Sequence, residues 1–175
     1  VDILDLNNVD PTALTKDSEG VVAVNYDEHQ ARFSVAGVEI VTRLVDGKYP
    51  DYKKLLPQKF ATTALLSRKS LNEITKVSSL FAREAAGSIT LIMDEATQEV
   101  SIRSIASQIG ENTAVAEAKV SGDADITLNS RYILDALQVF EGENIQINVN
   151  GKLDPCVLTD PADDSYLHVV MPVKS

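Results

Sequence analysis

The apolar residues of this chain recur at two spacings, every second residue in some stretches and every third or fourth in others. Period-two runs at residues 21–26 and 31–35, joined by a polar turn, predict a strand pair, and residues 38–45 predict a further strand. Residues 1–8 read as a helix. The first part of the chain therefore predicts one helix followed by antiparallel strands.

A second unit of the same kind follows. A strand is predicted at residues 60–66, and Ser67 is a suitable N-cap for a helix that runs to about residue 82. Strands are then predicted at residues 89–93 and 100–105, on either side of a polar turn. The apolar residues of the helix recur at three- and four-residue spacing and predict one buried face, made of Leu71, Ile74, Val77 and Phe81.

A third unit repeats the pattern. Asn129 is a suitable cap for another helix, and Gly142 lies where that helix is expected to stop. Because the helices alternate with hairpins and not with single strands, we expect an antiparallel sheet covered by helices on one face, an α+β fold. The predicted inward face of the helix is Ile133, Ala136, Leu137 and Phe140, and the strands are predicted at residues 113–120, 126–128, 145–149, 156–159 and 166–171.

Composition narrows the class of protein without indicating a function. The chain has 175 residues, 44% hydrophobic and 24% charged, which is typical of a soluble globular chain of one or two domains. No apolar run approaches the roughly 18 residues that cross a bilayer, no signal peptide is visible, and a single cysteine fits a reducing compartment. We therefore expect a cytoplasmic protein without a membrane partner. The formal charge of −10 argues against tight, direct binding to a polyanion such as DNA.

Catalytic chemistry is not indicated by the residues. His29 falls in a predicted turn, and His168 lies in the last strand, where we expect its side chain to face outward. Cys156 is predicted to be a small core residue, and the aspartates within residues 160–164 lack the spacing of a calcium loop. The sequence has no glycine-rich phosphate loop, no zinc-ligand spacing and no nucleophile elbow. We therefore predict no enzyme activity, no metal site and no cofactor.

The helix of the second unit carries a row of cations. Lys69, Lys76 and Arg83 recur every seven residues, so they lie near one face, and Arg68 is beside them. They are opposite the apolar stripe and would project away from the sheet. The alternative is an ordinary solvated face, in which a pair such as Lys69 with Glu73 contributes only a few tenths of a kcal/mol. The residues alone slightly favour the solvated face.

Residues 42–57 read TRLVDGKYPDYKKLLP, an extended segment in which Pro50 and Pro57 bracket two tyrosines and two lysines. This segment closely resembles the connection between the second and third domains of the bacterial DNA polymerase III β subunit family, the processivity sliding clamps. Residues 169–174, VVMPVK, resemble the C-terminus of that family equally well, and residues 129–135 are also similar. The resemblance implies the DNA-clamp fold, built from repeated units of a helix and antiparallel strands.

The resemblance also implies a domain plan. In the clamp family each domain is a pair of these units, with the strands outside and the helices lining a central channel. Residues 1–53 would then be the C-terminal half of the middle domain, and residues 54–175 the complete third domain. Because the chain begins inside a predicted helix and without a methionine, we expect a C-terminal fragment.

A peptide-binding groove is implied between the second and third domains, where partners insert a glutamine and large apolar residues. Ala86 stands where the family can carry a bulky aromatic residue, so this wall is expected to be shallower. The family supplies part of the deeper pocket from residues that would precede Val1. The expected groove residues are Pro50, Lys54 and Leu55 in the connection, Ala86, Asn129 and Tyr132 near the third helix, Leu153 and Pro155 in a hairpin, and Val169, Val170, Met171, Pro172 and Val173 in the last strand.

Two further surfaces are implied by the resemblance. Leu80 and Phe81 would lie at the interface that closes the ring, although the helix pattern allows Phe81 to serve the core instead. In a channel lined by helices, the cations Arg68, Lys69, Lys76 and Arg83 would face DNA. Weak phosphate contacts of this kind suit a sliding protein.

The function implied is that of a DNA sliding clamp, a processivity factor of replication. It would encircle duplex DNA as a head-to-tail homodimer and tether the DNA polymerase III α subunit, the clamp loader and other proteins with a clamp-binding motif. Because a ring holds DNA by topology, the acidic charge is then no objection. Without the first domain, the present chain is expected to be monomeric or only weakly associated. The alternative is a stand-alone peptide-binding adaptor that does not encircle DNA.

Overall fold

The computed structural model describes residues 22–35, 37–47, 51, 54, 56–106 and 110–173. The chain divides into two compact units, residues 1–50 and residues 51–175. The helix predicted at residues 1–8 lies outside the described residues, as does most of the segment 48–55. The assignment of unit 1 to half of a middle clamp domain therefore stays a prediction.

Unit 1 contains a three-stranded antiparallel sheet in the order β1-β2-β3. Its strands are β1 (Ala23–Tyr26), β2 (Gln30–Val35) and β3 (Val38–Arg43). The turn between β1 and β2 is held by the Asp27 carboxylate, which accepts from the His29 and Gln30 backbone N–H groups at 2.7 and 2.8 Å. These two hydrogen bonds lower the pKa of Asp27. The predicted strands and the solvent-exposed turn histidine are confirmed.

Unit 2 is built on a single antiparallel sheet of eight strands, in the order β11-β10-β9-β4-β7-β6-β5-β8. Two α-helices are described, α1 (Arg68–Phe81) and α2 (Ser130–Val139), and a 3₁₀ turn (Ala82–Ala85) follows the first. The strands are β4 (Thr62–Ser67), β5 (Ser88–Asp94), β6 (Glu99–Ala106), β7 (Gly110–Ser121), β8 (Ala124–Asn129), β9 (Asn144–Val149), β10 (Cys156–Asp160) and β11 (Asp163–Val170). The predicted α+β fold with an antiparallel sheet is confirmed.

The same order of elements, β-α-β-β-β, occurs twice in unit 2. The repeats exchange their first strands, because β4 pairs with β9 of the second repeat and β8 pairs with β5 of the first. The sheet also curls, since the Val173 N–H donates to the Thr127 carbonyl of β8 at 2.9 Å just after β11 ends. The two edge strands of the sheet therefore approach each other at the end of the chain.

β7 changes partner along its length. Residues 110–117 pair with β6, whereas residues 118–121 pair with β4. Gln98, the residue just before β6, has a left-handed backbone (φ 56°) and contacts β7 where the pairing with β6 ends. Its side-chain amide donates to the Val120 carbonyl at 2.8 Å and accepts from the Val120 N–H at 3.1 Å. The Gln98 backbone carbonyl also accepts from the Ala118 N–H at 3.0 Å, so Gln98 satisfies the backbone of β7 at both residues.

The core of unit 2 lies between the sheet and the helices. Alternate residues of β4, β5 and β6 are buried, as in Ile89, Leu91 and Met93 of β5. Both helix caps are confirmed, because the Ser67 hydroxyl accepts from Ser70 N–H and the Asn129 side chain accepts from Arg131 N–H. The predicted inward face of α2 is confirmed as well, with all four residues buried: Ile133, Ala136, Leu137 and Phe140.

The predicted buried face of α1 is partly wrong. Val77 is 46% exposed, whereas Thr75 and Ser78 are fully buried. The Thr75 hydroxyl donates to the Leu71 carbonyl at 2.6 Å, and the Ser78 hydroxyl donates to the Ile102 carbonyl at 3.5 Å. Small hydroxyl side chains with backbone partners can therefore occupy the face nearest the sheet, and apolar periodicity does not detect them.

Candidate functional site

Large apolar side chains are exposed on three separate elements of unit 2. Tyr132 of α2 is 55% exposed, Leu153 in the loop between β9 and β10 is 69% exposed, and Met171 after β11 is 55% exposed. We call the set to which they belong the apolar surface: Tyr132, Leu153, Pro155, Val169, Met171, Pro172 and Val173.

Strand β8 brings these elements together. Asn129, its last residue, caps the helix that carries Tyr132. The Val173 N–H donates to the Thr127 carbonyl, which places the segment after β11 against the edge of β8. The Lys152 ammonium lies 2.8 Å from the Asp125 carboxylate, which ties the β9–β10 hairpin to the start of the same strand. Elements that are far apart in sequence are thus held to a single strand.

The corner between the 3₁₀ turn and α2 is shaped around Asn129. Its amide donates to the Ala86 carbonyl at 3.1 Å, and the Ser130 N–H donates to the Gly87 carbonyl at 2.9 Å. Gly87 has φ +80°, and a Cβ there would lie only 3.1 Å from the Asn129 side-chain oxygen. Glycine is therefore favoured at this corner, mainly by its left-handed backbone and also by the close approach of Asn129. Ala86, also left-handed at φ 51°, is exposed and presents only a methyl group.

The β9–β10 hairpin is anchored at its base by Asn150. Its side-chain oxygen accepts from the Ala61 N–H at 2.7 Å, and its amide donates to the Lys59 carbonyl at 3.0 Å. The segment that leads into β4 is therefore held against the hairpin that carries Leu153 and Pro155.

One expected groove residue is not part of the surface. Val170 is 2% exposed and packs in the core opposite Cys156, so the prediction that it lines a groove is wrong. The reason is strand alternation, because side chains of β11 point to the two faces in turn. Pro50 and Leu55 lie outside the described residues. Lys54 is exposed, and its ammonium lies 3.5 Å from the Asp51 carboxylate.

His168 and Cys156 both lie toward the core side of the last two strands. His168 lies on the same strand face as Val170 and is half-buried, with its Nδ1 atom 2.8 Å from the Tyr166 hydroxyl, so the predicted outward orientation is wrong. Burial lowers the pKa of His168, and the Asp135 carboxylate opposes that shift. Cys156 is fully buried as predicted, and burial raises its pKa to about 12.

The cations of α1 form a second feature. Lys69, Lys76 and Arg83, which we call the basic row, are all exposed. The Lys69 ammonium lies 4.0 Å from the Glu73 carboxylate, one helical turn away. Among the described side chains, Lys76 and Arg83 form no ion pair.

Arg68 differs from the basic row in its position. Its guanidinium donates to the Gly142 carbonyl at 2.7 Å and to the Leu137 carbonyl at 3.1 Å, where α2 ends. A cation at the negative end of a helix is favourable, and here it also satisfies terminal carbonyl groups. Arg68 therefore joins the two repeats, and its charge is engaged inside the unit.

The C-terminal end of α1 carries a third feature. Leu80 is 54% exposed, Val77 is exposed beside it, and Phe81 is half-buried. We call these three residues the α1 end. Within the described ranges, no strand pairs with the opposite edge of the β7 residues 110–117.

In the described part of the chain, no group of three or more His, Cys, Asp or Glu side chains is arranged to hold a metal ion. No helix among the same residues is both long and apolar enough to span a membrane.

The sequence matches the family model of the DNA polymerase III beta subunit, C-terminal domain, over residues 53–174. A curated relative, the beta sliding clamp of Bacillus subtilis, is 28% identical over 161 residues, which make up 91% of this chain and 43% of the relative. The structure of the Thermotoga maritima DNA polymerase III beta subunit is similar, with a TM-score of 0.74 and 31% identity over 88% of this chain and 42% of that one. The Bacillus subtilis sliding clamp structure also gives 0.74, with 29% identity over 88% of this chain and 41% of its own. The chain thus spans less than half the length of these relatives.

Proposed function

Since this chain belongs to the DNA polymerase III beta subunit family and has the sliding-clamp fold, we propose that it acts as part of a clamp that encircles duplex DNA. In this proposal the apolar surface captures short peptides of replication proteins, and the ring keeps them on the DNA.

The convergence of Tyr132, Leu153 and Met171 around β8 is the observation that carries the peptide-binding proposal. Large apolar side chains that are exposed on elements held to the same strand are typical of a surface that binds a partner. Methionine and leucine walls adapt to different apolar side chains, and Asn129 and Tyr132 supply polar groups at the edge. A peptide with a glutamine and large apolar residues fits this chemistry.

The free energy available from a few apolar anchors favours weak, reversible peptide binding. Burying two or three apolar anchors contributes about 1.5–3 kcal/mol each, before the cost of ordering the peptide. The remaining free energy corresponds to a Kd of roughly micromolar order. Such an affinity suits a surface that exchanges partners, among which we expect the DNA polymerase III α subunit and the clamp loader.

The basic row is proposed to face DNA. Lys76 and Arg83 are the stronger candidates, because Lys69 shares its charge with Glu73 and Arg68 caps α2. With a formal charge of −10 on the chain, a few lysine and arginine contacts cannot give tight binding. Retention on DNA is therefore proposed to come from ring topology, and the lysine and arginine side chains make only weak contacts with the phosphates.

The α1 end is proposed to contribute to ring closure. Leu80 and Val77 are exposed on the helix whose Ser78 hydroxyl accepts from the Asn112 side chain of β7 at 3.3 Å. Among the described strands, none pairs with the other edge of β7 there, and strand addition with apolar contacts is a common way to join chains. A head-to-tail contact of this kind needs a different surface on the next subunit. In this proposal the protein is an accessory subunit without chemistry of its own.

A peptide titration tests the proposal directly. We expect a fluorescent peptide that contains a glutamine followed by a leucine-phenylalanine pair to bind this chain with a Kd of roughly micromolar order, measured by anisotropy. Tyr132→Ala and Met171→Ala should each weaken binding by about fivefold or more, because each removes an apolar anchor. Ile105→Ala is the matched control, since Ile105 is also an exposed apolar residue but lies on β6.

Two outcomes would contradict the assignment of the groove. One is the absence of saturable binding by the unmodified chain. The other is equal binding by the unmodified chain, the Tyr132→Ala variant and the Met171→Ala variant.

A further inference from the structure

We propose that Asp125 and Lys152 are positioning residues of the apolar surface, because their ion pair holds the β9–β10 hairpin and its Leu153 against strand β8. The inference rests on the proposed function, since it explains how the peptide-binding surface keeps its shape.

The hairpin tip has few other restraints. Residues 150–155 leave the sheet between β9 and β10, and the described backbone hydrogen bond within this loop is that from Asp154 N–H to the Gly151 carbonyl, at 3.2 Å. Asn150 anchors only the base of the loop. Leu153 is 69% exposed, so burial does not fix its position. A contact that reaches from the tip to the sheet therefore has a large influence on where Leu153 lies.

Lys152 makes that contact across the curled sheet. Its ammonium lies 2.8 Å from the Asp125 carboxylate, although the hairpin belongs to the second repeat and β8 pairs with a strand of the first. Both side chains keep substantial exposure, 73% and 46%. An exposed pair of this kind contributes little to global stability. Its effect is expected on the local position of a loop that opens at low free-energy cost.

Three elements of the apolar surface depend on β8, and they are held in different ways. The segment after β11 is held by a backbone hydrogen bond to Thr127, and α2 is held by its Asn129 cap. Among the described side chains, the hairpin is the one element of the three that an ion pair holds to β8. The distance between Leu153 and the rest of the surface should therefore change with salt concentration. The positions of α2 and of the segment after β11 should not change with salt.

Affinity measurements test this role in the peptide titration described above. We expect Lys152→Met and Asp125→Asn each to weaken binding by about two- to fivefold at low salt, within the range of exposed ion pairs. The exchanged pair, Asp125→Lys with Lys152→Asp, should restore most of the loss. At about 1 M salt, where the screening length is about 3 Å, the difference between the unmodified chain and Lys152→Met should shrink.

Glu111→Gln provides a matched control for the loss of an ion pair. The Glu111 carboxylate lies 2.7 Å from the Arg103 guanidinium, with side-chain exposures of 52% and 50%, on strands away from the hairpin. We expect this variant to bind the peptide as the unmodified chain does.

A second measurement does not depend on peptide binding. A nitroxide attached at Leu153→Cys reports the mobility of the hairpin, and the native Cys156 is buried, so it does not react. We expect Lys152→Met and Asp125→Asn to raise the mobility of this label, and the exchanged pair to lower it again.

Peptide affinity and label mobility together test whether the Asp125–Lys152 pair positions the hairpin. Unchanged mobility in both single variants would overturn the proposal, and so would an exchanged pair that restores neither mobility nor affinity. If the unmodified chain binds no peptide, the proposed function fails, and the mobility of the label still decides whether the ion pair positions the hairpin.

Discussion

The Cys156 thiol lies in the core of unit 2, where burial raises its pKa to about 12. The thiolate is the reactive form of cysteine, so the native residue is inert near neutral pH. In the unfolded chain the same thiol takes its ordinary pKa of 9.0. The difference couples the protonation of this one residue to folding.

We expect the free energy of unfolding to fall as pH rises above about 9, because the unfolded state then binds fewer protons than the native state. The slope due to Cys156 is at most about 1.4 kcal/mol per pH unit, up to its native pKa near 12. Urea unfolding at a series of pH values measures it. Cys156→Ala should show a shallower decline than the unmodified chain, and equal slopes would contradict the burial of the thiol.

At the scale of elements, the two helices are joined by Arg68. This residue begins α1, and its guanidinium donates to the Leu137 and Gly142 carbonyls at the end of α2. Its own backbone N–H donates to the Glu143 carbonyl at 2.9 Å. The first residue of α1 thus caps the end of α2. Arg68 is therefore a structural residue, although it lies beside the basic row.

We expect Arg68→Met to lower the free energy of unfolding by about 2 kcal/mol, because two charge-assisted hydrogen bonds and a favourable helix-end charge are lost. Arg68→Lys should recover only part of this loss, since an ammonium cannot span both carbonyls as a guanidinium does. Urea unfolding provides the measurement. Lys69→Met is the control and should change stability by no more than about 0.5 kcal/mol. A similar effect of both methionine variants would contradict the capping role.

Local signals made the elements predictable to different degrees. Ser67 and Asn129 are caps that act within three residues, so sequence alone located both helix starts. The buried face of α1 was misjudged because Thr75 and Ser78 satisfy their hydroxyls on backbone carbonyls and so tolerate burial. The partner change of β7 was not predicted, because it depends on the Gln98 side chain, which is distant in sequence from β7.

For the molecule as a whole, sequence periodicity shows which face of a strand is buried and does not show which strand lies beside it. The exchange of β4 and β8 between repeats therefore became visible only in the pairing. The same holds for the candidate site. Resemblance predicted Tyr132, Leu153 and Met171, whereas the Asp125–Lys152 pair depends on the curl of the sheet and carried no signal in the sequence.

The charge of the whole molecule leads to a last prediction, which concerns direct binding to DNA. At a formal charge of −10, with Lys76 and Arg83 as the proposed phosphate contacts, this chain should show no saturable binding to a short duplex up to about 100 μM at about 0.15 M salt. Fluorescence anisotropy of a labelled duplex is the measurement, and Lys76→Glu with Arg83→Glu should leave the result unchanged. Micromolar binding by the unmodified chain would mean that affinity holds the DNA, and ring topology would then no longer be needed to explain retention.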